Sequence, residues 1–146
     1  MAFSLIKSIW ESGVLRFRNK ATRTPIATLG TLRLHPYLTV TNVDAQDNTL
    51  SAAQIAGGIV VHTSETGGGT VTLDTAANII AAFPGIGTGD SVKCYYVNDG
   101  TEILTLATAT GTTIFDAGQT IAANEAAILV ILVTSSTTVT VYSIGA

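Results

Sequence analysis

The feature that most constrains the fold of this chain is a succession of short apolar runs, alternating at strand period, from residue 91 onward. Successive side chains of a β-strand point to opposite faces, so a run of this kind forms a strand with one face buried. Turn-forming Gly, Asp, Ser and Thr residues separate the runs, which favours an all-β sandwich. The predicted strands are DSVKCYYV, TEILTLAT, TTIF, QTIAA, AAILVILV and TTVTVYSI.

The run AAILVILV (126–133) differs from its neighbours because it is apolar at every position. A strand of that kind is buried on both faces, which predicts a central strand or a place at a subunit interface. The run has eight residues, whereas a helix that spans a bilayer needs about 20, so no membrane partner is predicted. The two strands that flank NDG (98–100) are predicted to pair as a hairpin.

Residues 30–90 combine further strands with short helical stretches. TLRLHPYLTVTNV, GGIVVH and TVTL are predicted strands, and the glycines at 67–69 predict a flexible hairpin tip. AANIIAAF is predicted as a helix, with Asp74 or Thr75 as its cap and Pro84 as its stop. LSAAQI favours a single helical turn, and no fixed-period repeat points to a solenoid.

Together these patterns predict a mainly β protein in two parts. Residues 30–146 are expected to form a single jelly-roll-like β-sandwich with one short helix, and residues 1–29 an extended N-terminal arm. Within the arm, residues 3–12 favour a short amphipathic helix. VLRFR (14–18) alternates at strand period, and Pro25 favours extended backbone at the residue before it.

Charge is distributed unevenly between the two parts. Residues 1–33 carry six basic residues and Glu11, a net charge of +5, whereas residues 34–146 carry Lys93 and nine acidic residues, a net charge of −8. Only 12% of the chain is charged, about half the usual fraction. The chain is therefore a basic arm attached to an acidic body.

The basic arm admits three interpretations: a solvated segment, a nucleic-acid-binding segment, or a segment that docks onto an acidic protein surface. Nucleic-acid binding favours dense Lys and Arg with stacking aromatic residues. The acidic body would repel phosphates, so no specific nucleic acid is expected. Interface centres favour Arg, aromatic and aliphatic side chains, and docking is therefore preferred. The expected docking residues are Trp10, Leu15, Arg16, Phe17, Arg18, Lys20 and Arg23.

Groups that could carry catalysis are scarce. The two histidines, His35 and His62, lie 27 residues apart and outside any metal-binding spacing, so each is expected to be a strand or turn residue. Cys94 is the only cysteine, so no internal disulfide can form, and it is expected to pack as a small apolar residue. No set of acid, base and nucleophile can be assembled, and the chain is not expected to be an enzyme.

Two loops resemble ligand-binding loops only in composition. GIGTGD (85–90) leads into a strand, whereas phosphate-binding loops lead into the N-terminus of a helix. Asp44, Asp47 and Asn48 lie close together but lack the glycine and distal glutamate of an EF-hand. No cofactor and no metal is therefore predicted.

Residues 50–114 are similar to known virion proteins in the order of their features. SAAQI followed by a glycine pair, the strand-to-helix step TVTLDTAANI, the turn GTGDSV and the hairpin YVNDGTEILTLA resemble segments of tailed-bacteriophage virion proteins. In particular, they resemble the small β-sandwich proteins that decorate, or cement, the capsid.

The resemblance implies a structural role with no catalytic site. It implies a homo-oligomer, a trimer, that is made in the host cytoplasm, lies on the capsid surface of the virion and bridges subunits of the major capsid protein. The basic arm would dock onto neighbouring shell proteins, and three arms on one trimer would bind with avidity. Related modules occur in tail and fibre proteins, so a receptor- or glycan-binding β-sandwich is the alternative.

Overall fold

The structure, a computed structural model, divides the chain into two compact units, Met1–Pro36 and Tyr37–Ala146. It describes residues 38–64, 67–116 and 118–145 in full, and in the first unit the backbone of three strands over 7–11, 14–18 and 25–28. The predicted boundary between residues 29 and 30 lies outside the described residues.

The strands of the first unit form an antiparallel sheet. β1 (Lys7–Glu11) pairs with β2 (Val14–Arg18), which also pairs with β3 (Pro25–Thr28). The strand predicted over residues 14–18 is confirmed. The helix predicted over residues 3–12 is wrong over residues 7–11, because β1 pairs with β2 along its whole length, and the rest of that stretch lies outside the described residues. An apolar pattern this short fits helix and strand period alike, so the adjacent strand decides the conformation.

The second unit is a two-layer β-sandwich, which confirms the predicted mainly β fold. One sheet has six strands in the order β10-β13-β12-β8-β6-β4, and the other has four in the order β11-β9-β7-β5. The strands are β4 (Thr39–Val43), β5 (Asn48–Leu50), β6 (Gly58–His62), β7 (Gly69–Leu73), β8 (Ser91–Asn98), β9 (Leu104–Ala107), β10 (Thr112–Ile114), β11 (Thr120–Ile121), β12 (Glu125–Val133) and β13 (Val139–Ile144).

The chain passes from one sheet to the other at almost every connection. β4, β6 and β8 are parallel neighbours in the six-stranded sheet, and β5, β7 and β9 are parallel neighbours in the four-stranded sheet. Parallel neighbours need a long crossover, and here each crossover runs through a strand of the opposite sheet. A jelly roll is built from antiparallel Greek keys, so the topology within the confirmed sandwich differs from a jelly roll in these parallel windings.

The same winding shows that two predicted hairpins are wrong. NDG (98–100) connects β8 to β9, and the glycines at 67–69 connect β6 to β7. In both cases the two strands lie in different sheets, so the connection turns a corner of the sandwich. Gly69 is needed at its corner because a Cβ there would overlap the backbone carbonyl oxygen of Gln46.

Two short helices, α1 (Ala52–Gly57) and α2 (Ala76–Ala81), close successive windings and confirm the helical stretches predicted there. Ser51 caps α1 and Thr75 caps α2, and each side-chain oxygen accepts a hydrogen bond from the backbone N–H three residues further on. The capped segments SAAQI and TAANI thus form a short repeat at equivalent points of two windings.

The core lies between the two sheets and includes the buried faces of both helices. Its largest fully buried side chains include Tyr96, Leu50, Ile55, Leu129 and Ile131. β12, which contains the run AAILVILV, lies between β13 and β8 and is a central strand as predicted. Among the described residues, no helix is long and apolar enough to cross a membrane.

Candidate functional site

The residues predicted to dock onto a partner fall in two strands of the first unit and in a segment beyond them. Trp10 lies in β1, opposite Leu15 of β2. Arg16, Phe17 and Arg18 complete β2, and β2 carries β3 on its other side. Lys20 and Arg23, the remaining predicted docking residues, lie outside the described residues. β2, with four of the seven predicted docking residues, is therefore the middle strand of its sheet.

Within the described residues, the second unit contains no group of three or more His, Cys, Asp or Glu side chains that could hold a metal ion. In the loops with ligand-like composition, the carboxylates of Asp47 and Asp90 accept hydrogen bonds from backbone N–H groups of the same unit. Asp47 accepts a hydrogen bond from the N–H of Thr70 at 2.7 Å, and Asp90 accepts one from the N–H of Gly87 at 2.8 Å. These carboxylates therefore fix corners of the sandwich.

Cys94 lies in β8 and is fully buried in the core, as its sequence context predicts. Burial raises the pKa of its thiol to about 12, because a low-dielectric environment disfavours the thiolate. The thiol is therefore protonated at neutral pH, and the thiolate is the form needed for nucleophilic attack or metal binding. The arrangement suits packing.

A polar cluster of three side chains lies inside the sandwich. Nδ1 of His62 is 3.1 Å from the hydroxyl oxygen of Tyr96, which also accepts a hydrogen bond from Nδ2 of Asn48 at 3.3 Å. Because Asn48 already donates to the phenol oxygen, the hydroxyl hydrogen of Tyr96 is free to point at Nδ1. Nε2 of His62 and Oδ1 of Asn48 are buried and have no hydrogen-bond partner among the described residues.

The electrostatics of this cluster favour neutral side chains. Burial lowers the pKa of His62, and the opposing attraction of the Asp44 carboxylate does not restore it. Burial also raises the pKa of Tyr96 to about 12, against the hydrogen bond from Asn48. His62 lies in strand β6, which agrees with the expectation that it is a strand or turn residue. His35 lies outside the described residues. The cluster ties three strands together in the core.

The outer face of the six-stranded sheet is the most unusual surface of the second unit. At one level of this face, the pairing register places one apolar side chain from each of five strands side by side. We call these five side chains the central apolar row. The row consists of Val40 (β4), Ile59 (β6), Tyr95 (β8), Ile128 (β12) and Ile144 (β13). Val40, Tyr95 and Ile144 are 61%, 41% and 55% exposed, and Ile59 and Ile128 are half-buried. None of the five packs against the core.

Further apolar side chains flank this row. Val61 and Val97 are aligned on one side of it, and Val130 and Tyr142 on the other; all four are half-buried. Solvated sheet faces usually carry polar residues, so a face this apolar is a candidate binding surface. The sequence indicated only β12 as apolar on both faces, because in the other strands polar and apolar residues mix on the outer positions.

At the edge of this face the side chains of Phe115 and Tyr142 contact each other, with ring centroids 5.1 Å apart and a tilt of 30°. Phe115 follows β10 and is 63% exposed. The two rings line a shallow groove of about 380 Å³ together with Val130, Ile144 and a few polar side chains. An exposed aromatic pair beside a groove can contact an apolar ligand surface.

Comparisons of the chain with protein-family models, with curated proteins and with solved structures found no match. Among the described residues, the feature that stands out is an apolar sheet face, with Lys93 as its one charged position, on an acidic domain. The buried His62 cluster and Cys94 lie in the core, where they support the fold.

Proposed function

We propose that this chain is a structural protein of a bacteriophage virion, which decorates the capsid and stabilises it by bridging major capsid subunits. The observation that carries the proposal is the division of charge between two compact units. Unit Met1–Pro36 has a net charge of +5 and unit Tyr37–Ala146 a net charge of −8. A protein that bridges neighbours needs two different surfaces, and these units supply them.

The first unit is suited to an acidic protein surface. Basic and apolar residues alternate along β2, and Arg is the charged residue that interface centres favour. Electrostatic attraction between this unit and an acidic shell would accelerate encounter and weaken as salt rises. The resemblance of residues 50–114 to capsid decoration proteins supports the same role.

The second unit is suited to a structural role. In the described residues its polar networks lie in the core or close loops, its single thiol is buried, and no cluster of metal-binding side chains occurs. Its apolar sheet face offers a surface for tight packing between neighbouring proteins. A homo-oligomer, a trimer, would present several basic units at once and bind a shell with avidity.

The proposal is tested by binding to capsids assembled from the major capsid protein that accompanies this chain in its phage. Deletion of residues 1–24 is expected to leave a folded second unit that no longer binds these capsids. The double substitution Arg16→Ala with Arg18→Ala should weaken binding at least tenfold, or about 1.4 kcal/mol. Co-sedimentation with capsids measures both effects, and mass spectrometry of intact virions measures the copy number per particle.

A matched control makes the same change in net charge elsewhere. Ala53 and Ala77 are exposed residues near the starts of α1 and α2, and the pair Ala53→Glu with Ala77→Glu should bind capsids as the wild type does. Full capsid occupancy by the deletion variant would show that the arm does not dock. Absence of the chain from purified virions would contradict the whole proposal.

One observation favours the alternative, a receptor- or glycan-binding module of a tail or fibre. The exposed contact between Phe115 and Tyr142 beside a groove is the kind of aromatic platform on which a sugar ring can stack. If this alternative holds, the wild type binds host envelope glycans and Phe115→Ala reduces that binding at least tenfold. Equal binding by both proteins, or none by either, would remove the alternative.

A further inference from the structure

The central apolar row crosses five of the six strands of one sheet, from Val40 at the edge strand to Ile144 next to the opposite edge. Three of its five side chains are more than 40% exposed. Isolated exposed apolar residues are common, whereas contiguous patches of several hundred Å² mark interaction sites. This face therefore requires a partner.

We infer that the outer face of the six-stranded sheet is the self-association surface of this chain, and that its occupant is the same face of another copy. This inference goes beyond the proposed trimer, because two copies of one face packed together form a two-fold contact, which joins two chains. It concerns only contacts between copies of the second unit. Docking of the basic first unit onto a shell protein is a separate event.

The size of the face fits a weak contact between copies. Strands lie about 4.8 Å apart and outward side chains of one strand about 6.7 Å apart. The strands differ in length and carry between one and four outward positions each, so the face covers roughly 500 Å². A specific interface buries about 800 Å² on each partner, and weak ones less than about 600 Å². Two sheets packed face to face use the whole of this face, which is enough for a weak association.

The charge of the face fits a second copy of itself. Among the described outward positions of the sheet, Lys93 is the one charged residue. The acids nearest to the face lie where strands begin or end, as Asp90, Asp99 and Asp116 do on either side of β8 and after β10. Packing two such faces together places no acid opposite another at the centre, although the whole unit carries a net charge of −8.

Tyr95 is the anchor of this interface. It stands in the middle of the central apolar row, between Ile59 and Ile128, and it is 41% exposed. Buried Tyr side chains near the centre of an interface carry much of the binding energy. A carboxylate placed there would be buried in the interface without a partner.

The test is sedimentation velocity of the full chain at high micromolar concentration. The wild type and Tyr95→Phe are expected to sediment as oligomers. Tyr95→Glu is expected to sediment as a monomer, or to self-associate with a dissociation constant at least about tenfold higher than that of the wild type. Ile103→Glu is the matched control, because Ile103 is 54% exposed but precedes β9 of the other sheet. Circular dichroism checks that each variant is folded, and Val40→Lys provides a second charged substitution in the row.

The salt dependence of association distinguishes this apolar interface from a contact between the basic unit of one copy and the acidic unit of another. Association through the apolar face is expected to persist or strengthen in high salt, because the acids around the face repel and are then screened. Association through opposite charges would weaken under the same conditions.

Three results would overturn the inference: a monomeric wild type at high micromolar concentration, an oligomer that Tyr95→Glu and Val40→Lys leave intact, or an oligomer that dissociates in high salt. A monomeric wild type would assign the face to another occupant, such as a shell protein or the first unit of the same chain. Capsid co-sedimentation is measured separately, so a monomeric wild type that still binds capsids would reject this surface and leave the docking of the first unit standing.

Discussion

The two faces of the six-stranded sheet are both apolar, yet they differ in what surrounds them. On β12, Leu129 and Ile131 point inward and are fully buried against the other sheet. Ile128 and Val130 alternate with them on the outer face and are half-buried. The inner face is covered by its own chain, whereas the outer face has side chains such as Tyr95 and Ile144 that stay exposed. Apolar composition alone therefore does not distinguish a fold's core from an interface; coverage does.

Polar groups show the same contrast. On the inner side, the amide of Asn98 and the cluster of His62, Tyr96 and Asn48 are enclosed and hydrogen-bonded. On the outer side, Asn42 on the edge strand β4 is exposed. Enclosed polar groups fix the geometry of the fold at the cost of needing partners, so substitutions on the two faces should have different consequences.

Alanine substitutions of two isoleucines on opposite faces should differ most in their effect on the free energy of unfolding. Ile131→Ala on the inner face removes a fully buried side chain and should lower the free energy of unfolding by about 2–5 kcal/mol, because it leaves a cavity. Ile144→Ala on the outer face, where the side chain is 55% exposed, should lower it by less than about 1 kcal/mol. Urea denaturation at low protein concentration measures both values.

The comparison of the two isoleucine variants is then repeated at several protein concentrations. The cost of Ile144→Ala should grow as the concentration of protein rises, since an oligomer links stability to association, while the cost of Ile131→Ala stays nearly constant. Equal costs for the two variants at low concentration would mean that the outer face is already covered within one chain.

Alanine substitutions of two asparagines should differ less, but in the same direction, in their effect on the free energy of unfolding. Nδ2 of Asn98 donates to the carbonyl oxygens of Glu102, Ile121 and Ala122 at 2.7, 3.0 and 3.0 Å, and these bonds hold the corner between the sheets. Asn98→Ala leaves the buried carbonyl group of Ile121 and the part-buried ones of Glu102 and Ala122 without this donor, and should cost about 2–3 kcal/mol. Asn42→Ala, on the exposed edge strand, should change stability by less than about 0.5 kcal/mol.

Thermal unfolding followed by circular dichroism compares these variants on one instrument. The interpretation of Asn98 as a corner residue predicts that Asn98→Asp is no better than Asn98→Ala, because a carboxylate cannot donate to a carbonyl oxygen. Recovery of wild-type stability by Asn98→Asp would contradict that role.

The corner at Asn98 also shows where sequence reasoning reaches its limit. The strand period of SVKCYYV and of LTLA correctly indicates two strands and their buried positions, because alternation reports a face. It does not report the neighbour. A short loop with Asn, Asp and Gly suggested a hairpin, while the buried amide of Asn98 instead sends the chain into the opposite sheet.

For the helices and the apolar sheet face, too, local features could be predicted from the sequence and distant neighbours could not. The candidate caps Asp74 and Thr75 located α2, because caps act within four residues, and LSAAQI indicated the single turn of α1. Their equivalence became visible only when the structure placed SAAQI and TAANI in successive windings. The central apolar row was inaccessible to sequence for a similar reason: Val40, Tyr95 and Ile144 are 104 residues apart at their extremes, and only the strand order brings them into line.

The smallest expected effect concerns pH and the enclosed histidine. Burial holds the pKa of folded His62 below its ordinary value of 6.5. As pH falls through 6.5 the unfolded chain takes up a proton that the folded chain does not, so stability declines with falling pH. Above pH 6.5 both states are neutral at this site and its full contribution is present.

Asp74 loses its contribution in a separate and more acidic window. Burial disfavours its carboxylate, but hydrogen bonds from the N–H of Ala52, the amide of Asn78 and the N–H of Thr75 outweigh burial and lower its pKa below 3.8. A carboxylate with a lowered pKa stabilises above its unfolded pKa and loses that stabilisation only as pH falls through the lower, folded value. The slope between pH 6.5 and about pH 4 therefore reports on His62.

Urea denaturation across that range should show stability declining with falling pH for the wild type and a flatter profile for His62→Gln. The same measurement on His35→Gln shows whether the other histidine contributes to the slope. An unchanged slope in His62→Gln would mean that another group takes up the proton, and the pH dependence would then give no support to the contrast between the two faces. A slope abolished by His62→Gln alone would assign the pH sensitivity of the fold to the imidazole of His62, which the two sheets enclose.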